Sequence, residues 1–320
     1  MSTLDILMAA AGLSSSSIVV SDVFATALYT GNSSTQTINN GVNLAGNGGL
    51  VWVKARSNAY NNMIADTARG VTNLLYTNTA DSNVAASNTV TSFNSSGFTL
   101  GSTITLNGSG VSFSSWTFRK APKFFDIVAF TTDSSGNASF SHSLGLTPGI
   151  VIVKSLNSSG SWLVHHRSVT TNYALFLEGT TGQLNNGSSW ISTSSSSVSI
   201  TSSLFLQSAQ YIAYLFAHDP SADGIIQCGS FTADSSGNAS INLGYRPQFV
   251  LFKLTSTSSN WVITDSARGM PTGTGDKVLL ANSNAAETTA SVIDTSSTGF
   301  SLTGMSANAT GIYMAIKSAV

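Results

Sequence analysis

Charge is what this chain has least of. Lys, Arg, Asp and Glu make up 8% of its 320 residues, against about 25% in ordinary globular proteins. Thirteen basic residues face fourteen acidic ones, for a net charge of −1. No basic stripe exists to neutralise a row of phosphates, so nucleic acid is not an expected partner. No polybasic segment addresses anionic lipid either. The single cysteine, Cys228, makes no intrachain disulfide and is expected as a buried thiol in the strand-like Ile225-Ile226-Gln227-Cys228. Glutamate occurs only at Glu178 and Glu287, too few and too far apart to suggest the paired carboxylates of a glycosidase. Gly-x-Ser-x-Gly, a phosphate-cradling glycine loop and His-Glu-x-x-His are all missing. Neither catalytic residues, nor a metal site, nor a cofactor is therefore expected. Yet hydrophobic residues reach 42%, so the chain has the means to build a core. Solubility has to come from hydroxyls and amides, whose hydration changes little with salt.

What the sequence does contain, it contains three times. Gly48-Gly49-Leu50-Val51-Trp52-Val53-Lys54 returns as Pro148-Gly149-Ile150-Val151-Ile152-Val153-Lys154 and as Pro247-Gln248-Phe249-Val250-Leu251-Phe252-Lys253, with the lysines 100 and 99 residues apart. Twelve residues beyond each lysine stands Asp66, His166 or Asp265. Asp66-Thr67-Ala68-Arg69-Gly70 and Asp265-Ser266-Ala267-Arg268-Gly269 are nearly identical, whereas the second copy reads His165-His166-Arg167-Ser168. Eight residues past the lysine come Asn62, Trp162 and Trp261. Upstream, Phe130 to Ser139 matches Phe231 to Ser240 at all but one position. A period this regular has to be read first, because it makes one unit the problem to solve.

Within a unit the apolar period is two. Runs such as Ile150-Val151-Ile152-Val153 suit strands buried on both faces. Ser197-Val198-Ser199-Ile200 alternates as a half-exposed strand does, and Asp-Ser-Ser-Gly-Asn clusters supply the turns. The pattern predicts an all-β fold, three tandem antiparallel β-sandwich repeats of about 100 residues at 18–121, 122–220 and 221–320. Residues 1–17 differ. Leu4-Asp5-Ile6-Leu7-Met8-Ala9-Ala10-Ala11-Gly12 is predicted as a short helix with a glycine stop, followed by four serines. It lacks the basic start of a signal peptide and is too short to span a bilayer. Its apolar residues Leu4, Ile6, Leu7 and Met8 are candidates for docking to a partner.

The remaining side chains with possible chemistry are few. Adjacent strand residues point to opposite faces, so His165 and His166 are expected to be structural and not joint metal ligands. Asp-x-x-Arg-Gly reads as a turn device: a capping Asp, an Arg paired with it, and a Gly at positive φ. Trp52, Trp116, Trp162 and Trp261 belong to buried-type strands. Trp190, after Asn185-Asn186-Gly187-Ser188-Ser189, reads as a loop aromatic and is the candidate for contact with a glycan or partner.

Leu28-Tyr29-Thr30-Gly31-Asn32, the Gly48 to Ser57 run, Asp66 to Gly70 and Ser115-Trp116-Thr117-Phe118-Arg119-Lys120-Ala121-Pro122-Lys123-Phe124-Phe125-Asp126 together resemble virion structural proteins of tailed, often marine, bacteriophages, commonly labelled tail-fibre proteins. The resemblance runs from Leu7-Met8-Ala9-Ala10-Ala11-Gly12 through the second unit. It implies a non-enzymatic virion part, with other virion proteins as partners. The expected form is a homo-oligomer, threefold for a fibre. The helix would be its anchor, the far units its tip, and host-surface glycan its ligand. A capsid decoration protein is the alternative, and a polysaccharide-degrading enzyme a third.

Overall fold

The computed structural model describes residues 18–201, 204–270 and 275–319. The predicted helix at 4–12, with Leu4, Ile6, Leu7 and Met8, lies outside the described residues. The first helical turn within them is Val20–Val23.

Each repeat is a six-stranded sheet facing a three-stranded one. In the first, the strands are β1 (Phe24–Thr30), β2 (Gln36–Asn39), β3 (Gly49–Ala55), β4 (Met63–Asp66), β5 (Asn73–Tyr76), β6 (Val84–Ala85), β7 (Val90–Asn94), β8 (Gly97–Leu100) and β9 (Ser112–Arg119). The large sheet runs β1-β9-β3-β4-β5-β6 and the small one β2-β8-β7. The second and third repeats have the same orders, and neighbouring strands pair antiparallel throughout. The duplicated Asp-Ser-Ser-Gly-Asn string is a turn between the first two strands of its unit. Asp133 Oδ1 accepts the N–H groups of Ser135 and Asn137, and Asp234 Oδ1 those of Ser236 and Asn238. Gly136 and Gly237 supply φ of 82° and 80°.

The small sheets explain the composition. Ile38, Phe98 and Leu100 point inward, while Thr37 and Thr99 meet on the outer face with hydroxyls 3.1 Å apart. Ser139 and Ser199 repeat that pair at 3.1 Å, and Ser240 lies opposite Ser301 in the third unit. Strand alternation thus puts hydroxyls where most proteins put ions.

The apolar runs around the lysines are buried on both faces, and each face meets something different. Val51, Val53 and Ala55 of β3 fill the first sandwich with Phe113 of β9. Leu50 and Trp52, paired in register with Phe118 and Trp116, face away from it into a second core. Ile150 and Ile152 with Phe216 and Tyr214, and Phe249 and Leu251 with Ile316 and Met314, enter the same core from the other two units. The three large sheets therefore share one interior. Phe118 is its hub: its ring lies 5.3 Å from Phe216 and 6.0 Å from Phe249.

This arrangement corrects the expectation of an array with a tip, because the units close on one another. Equivalent backbone bonds mark all three seams: Asn83 N–H to Leu156 O, Gln183 N–H to Thr255 O, and Glu287 N–H to Arg56 O. The last joins the third unit to the first. The described ends also meet, since Ile18 to Ser21 and Lys317 to Ala319 border one cavity. A circular permutant beginning at residue 122 and ending at 121, with 319 linked to 18 by a short flexible linker, should therefore fold. It should lose no more than about 1–2 kcal/mol, the order of a change in loop closure, and unfold in a single cooperative transition. Urea unfolding followed by tryptophan fluorescence checks this. Two separated transitions would point to an open row of units.

Candidate functional site

Most of the charge that the chain buries lies at the seams: Lys54, Lys154, Lys253, Asp66, Asp265 and Arg268 are all within 4% of full burial. Each repeated lysine sits on the same strand face as the shared core, so its head must find polar partners inside the protein. It finds them on the neighbouring unit. Lys54 Nζ donates to Ser283 O at 2.8 Å, Lys154 Nζ to Ala80 O at 2.8 Å, and Lys253 Nζ to Thr180 O at 2.9 Å. Each makes a second bond within its own unit, to Asn62 Oδ1, Gly160 O and Ser259 O. Desolvation pushes all three amines down, Lys54 to about 7 with a further push from Arg268, and Lys154 and Lys253 to about 8.

The residue eight positions on repeats the logic. Trp162 Nε1 donates to Tyr76 O at 3.0 Å and Trp261 Nε1 to Phe176 O at 2.8 Å, both in the preceding unit. Asn62, the apparent exception, donates from Nδ2 to Leu280 O at 2.9 Å. Those carbonyls end equivalent strands, Asn73–Tyr76, Tyr173–Phe176 and Asp276–Leu280. An amide thus does the work of an indole N–H.

The position twelve residues past the lysine completes each seam. Asp66 Oδ1 accepts the N–H groups of Ala68 and Arg69, and its Oδ2 accepts Arg69 Nε at 2.6 Å and the Tyr214 hydroxyl of the second unit at 2.7 Å. Asp265 holds Arg268 Nε at 2.6 Å and accepts Trp116 Nε1–H of the first unit at 2.9 Å. Gly70 and Gly269 follow at φ of 79° and 86°, as a turn device requires. In the second unit His166 replaces the acid. Its Nδ1 accepts the Ser168 N–H, which leaves Nε2–H to donate to Tyr313 O of the third unit at 3.2 Å. That bond pattern needs a neutral ring, and burial holds the imidazole down at about 3.

The two glutamates are both engaged. Glu178 Oε2 accepts the Trp162 N–H at 3.0 Å. Glu287 forms a two-pronged pair with Arg56 at 2.8 and 2.9 Å and reaches Arg268 at 3.3 Å. Burial opposes its charge, but the two guanidiniums win and hold the carboxyl below its usual range. Among the described residues no three His, Cys, Asp or Glu side chains group as metal ligands would. Cys228 is buried, with its thiol on Ala217 O and pushed far up by desolvation.

Trp190 departs from its reading. It is fully buried, its Nε1 donates to Tyr173 O at 2.9 Å, and it packs against His165 and Phe205. The Asn-Gly-Ser-Ser run before it is indeed a turn, but the indole folds inward and has no face free for a sugar. Trp52, Trp116, Trp162 and Trp261 are buried as expected.

The sequence model of one protein family, a domain of unknown function (DUF7483), matches residues 19–319. The chain belongs to the DUF7483 family. The match covers all three repeats, so the DUF7483 unit is the closed ring and not the single sandwich. Among curated proteins none matches the chain. The seam residues that sequence reasoning missed in this DUF7483 protein are Tyr214, Glu287 and the partner role of the lysines. A charged residue kept on a buried strand face in every copy was the available signal, since such a charge must have a partner somewhere.

Proposed function

We propose that this DUF7483 chain is a non-enzymatic structural protein of a tailed-phage virion, preferably a tail fibre or receptor-binding appendage. The observation that carries the reading is a ring of three sandwiches whose buried ionic groups are mostly committed to its own seams, clad outside in serine and threonine. Such a body has rigidity and a salt-indifferent surface, and it presents three similar faces. The family resemblance noted in the sequence supports the same role. Its partners would be other virion proteins and further copies of itself. Because one chain already supplies three units, it meets a threefold neighbour as a single copy. Capsid decoration is the second reading, favoured by the closed ring, which makes a plug more readily than a shaft.

Antibody raised against the folded chain, applied to purified virions and imaged, tests this. Label at the tail supports the adsorption role. Label spread over the head supports decoration, and virions without label overturn both.

A further inference from the structure

The second unit departs from the other two at the Asp-x-x-Arg-Gly motif, and a cleft lies beside the departure. Arg69 and Arg268 turn inward to their aspartates. In the second unit the corresponding position, fifteen residues past the lysine, is the buried Val169, and the arginine stands two residues earlier as the exposed Arg167. Among the described residues Arg167 has no carboxylate within ion-pair distance. It borders a cavity of about 650 Å³ together with His165, His218, Thr147, Thr170 and Thr193.

The lining is rich in donors. His218 Nδ1 accepts the Cys228 N–H at 3.1 Å, so the proton of its neutral ring is on Nε2. His165 is 4% exposed and its Nδ1 has no hydrogen-bond partner, an uncommon state for a buried polar atom. The other units lack this set. Register places Ala65 and Thr264 where His165 stands. The counterpart of His218 in the first unit, Lys120, is already paired with Asp126 at 2.9 Å. The acid next to His218 in sequence, Asp219, accepts the Ser221 N–H at 3.1 Å.

We infer that this cleft, in the second unit alone, binds an acidic saccharide, with Arg167 taking the carboxylate. A guanidinium fork matches a planar carboxylate with two parallel bonds. The threonine hydroxyls and the Nε2–H of the half-exposed His218 suit the hydroxyls of a sugar, and the apolar Leu146 and Val169 in the same wall suit its C–H face. The volume lies in the range of small-ligand sites and exceeds what a lone anion fills. The choice of a saccharide rests on the adsorption reading above; the cationic chemistry of the cleft does not.

Calorimetric titration of the full chain with trigalacturonate, its methyl ester and acetate tests the inference. Trigalacturonate should bind at least tenfold more tightly than the uncharged ester or acetate. Arg167→Gln, at an exposed position, should weaken it about tenfold, whereas Arg246→Gln on the third unit should leave it unchanged. Equal affinity for acid and ester, acetate binding as tight as trigalacturonate, indifference to Arg167→Gln, or no binding at all would overturn it. The virion labelling is independent: saccharide binding by a head-labelled protein keeps the cleft and removes the adsorption role.

Discussion

Replacing Arg268 by methionine should destabilise the protein by about 3–5 kcal/mol, the usual consequence of leaving one member of a buried ion pair alone. Both side chains are inaccessible to solvent. Arg268 holds Asp265 Oδ2 at 2.6 Å, donates to Ile263 O at 3.0 Å and Lys277 O at 3.1 Å, and lies 5.5 Å above the Trp116 ring. Without it, the Asp265 carboxylate keeps the Trp116 N–H and one backbone N–H but no hydrogen-bonded cation, in a site from which water is excluded. Methionine fills much of the volume, so the loss is mainly electrostatic. The double variant Asp265→Asn with Arg268→Met should recover a large part of that loss, because an amide needs no counter-ion. Urea unfolding of the three proteins decides it. A single-variant loss below about 1 kcal/mol would falsify the view that this pair holds the first and third units together.

Stability should rise with pH over an unusually wide span. Burial lowers His165 to about 4 and His166 to about 3, against about 6.5 in an unfolded chain. Between those values the unfolded chain binds more protons than the native one, so stability is lost as pH falls below about 6.5. The slope approaches about 1.4 kcal/mol per pH unit for each ring. The lysines add the same sign on the alkaline side. Their native values of about 7 and 8 lie below the unfolded value of about 10.4, so stability continues to increase from pH 7 towards 10. Each amine meets two acceptors, which the two N–H groups of its neutral form fill. Denaturant midpoints measured from pH 4 to 10 should climb across both windows. His165→Thr, the residue type at position 264, should flatten the acid limb. Lys154→Met should remove part of the alkaline limb. A flat profile above pH 7 would show that the lysines stay charged inside the seams.

Local chemistry was legible in the residues themselves. The spacing of Lys54, Lys154 and Lys253 revealed the repeat. The two-residue period revealed strands, and Asp-x-x-Arg-Gly revealed a capped turn with its internal ion pair, all interactions that close within a few positions. Trp190 shows where such reading stops. Its neighbours specify a turn, but whether the indole turns in or out depends on the space left by His165, on another strand, and Phe205, in a loop. The cleft at Arg167 was visible only as a broken motif.

By itself, then, the sequence determined a low-charge all-β chain of three similar units with both faces of its central strands apolar. Only the tertiary structure decided what the second face was for. Alternation along a strand says that Leu50, Trp52 and Lys54 share a side, but not what surface lies opposite. That surface is assembled from units more than a hundred residues away, as the bonds from Lys54 to Ser283 and from Trp116 to Asp265 show. A ring and an open row have the same strands, turns and cores within each unit. They differ only in the seam between first and last, and that seam exists once all three units are folded and in place.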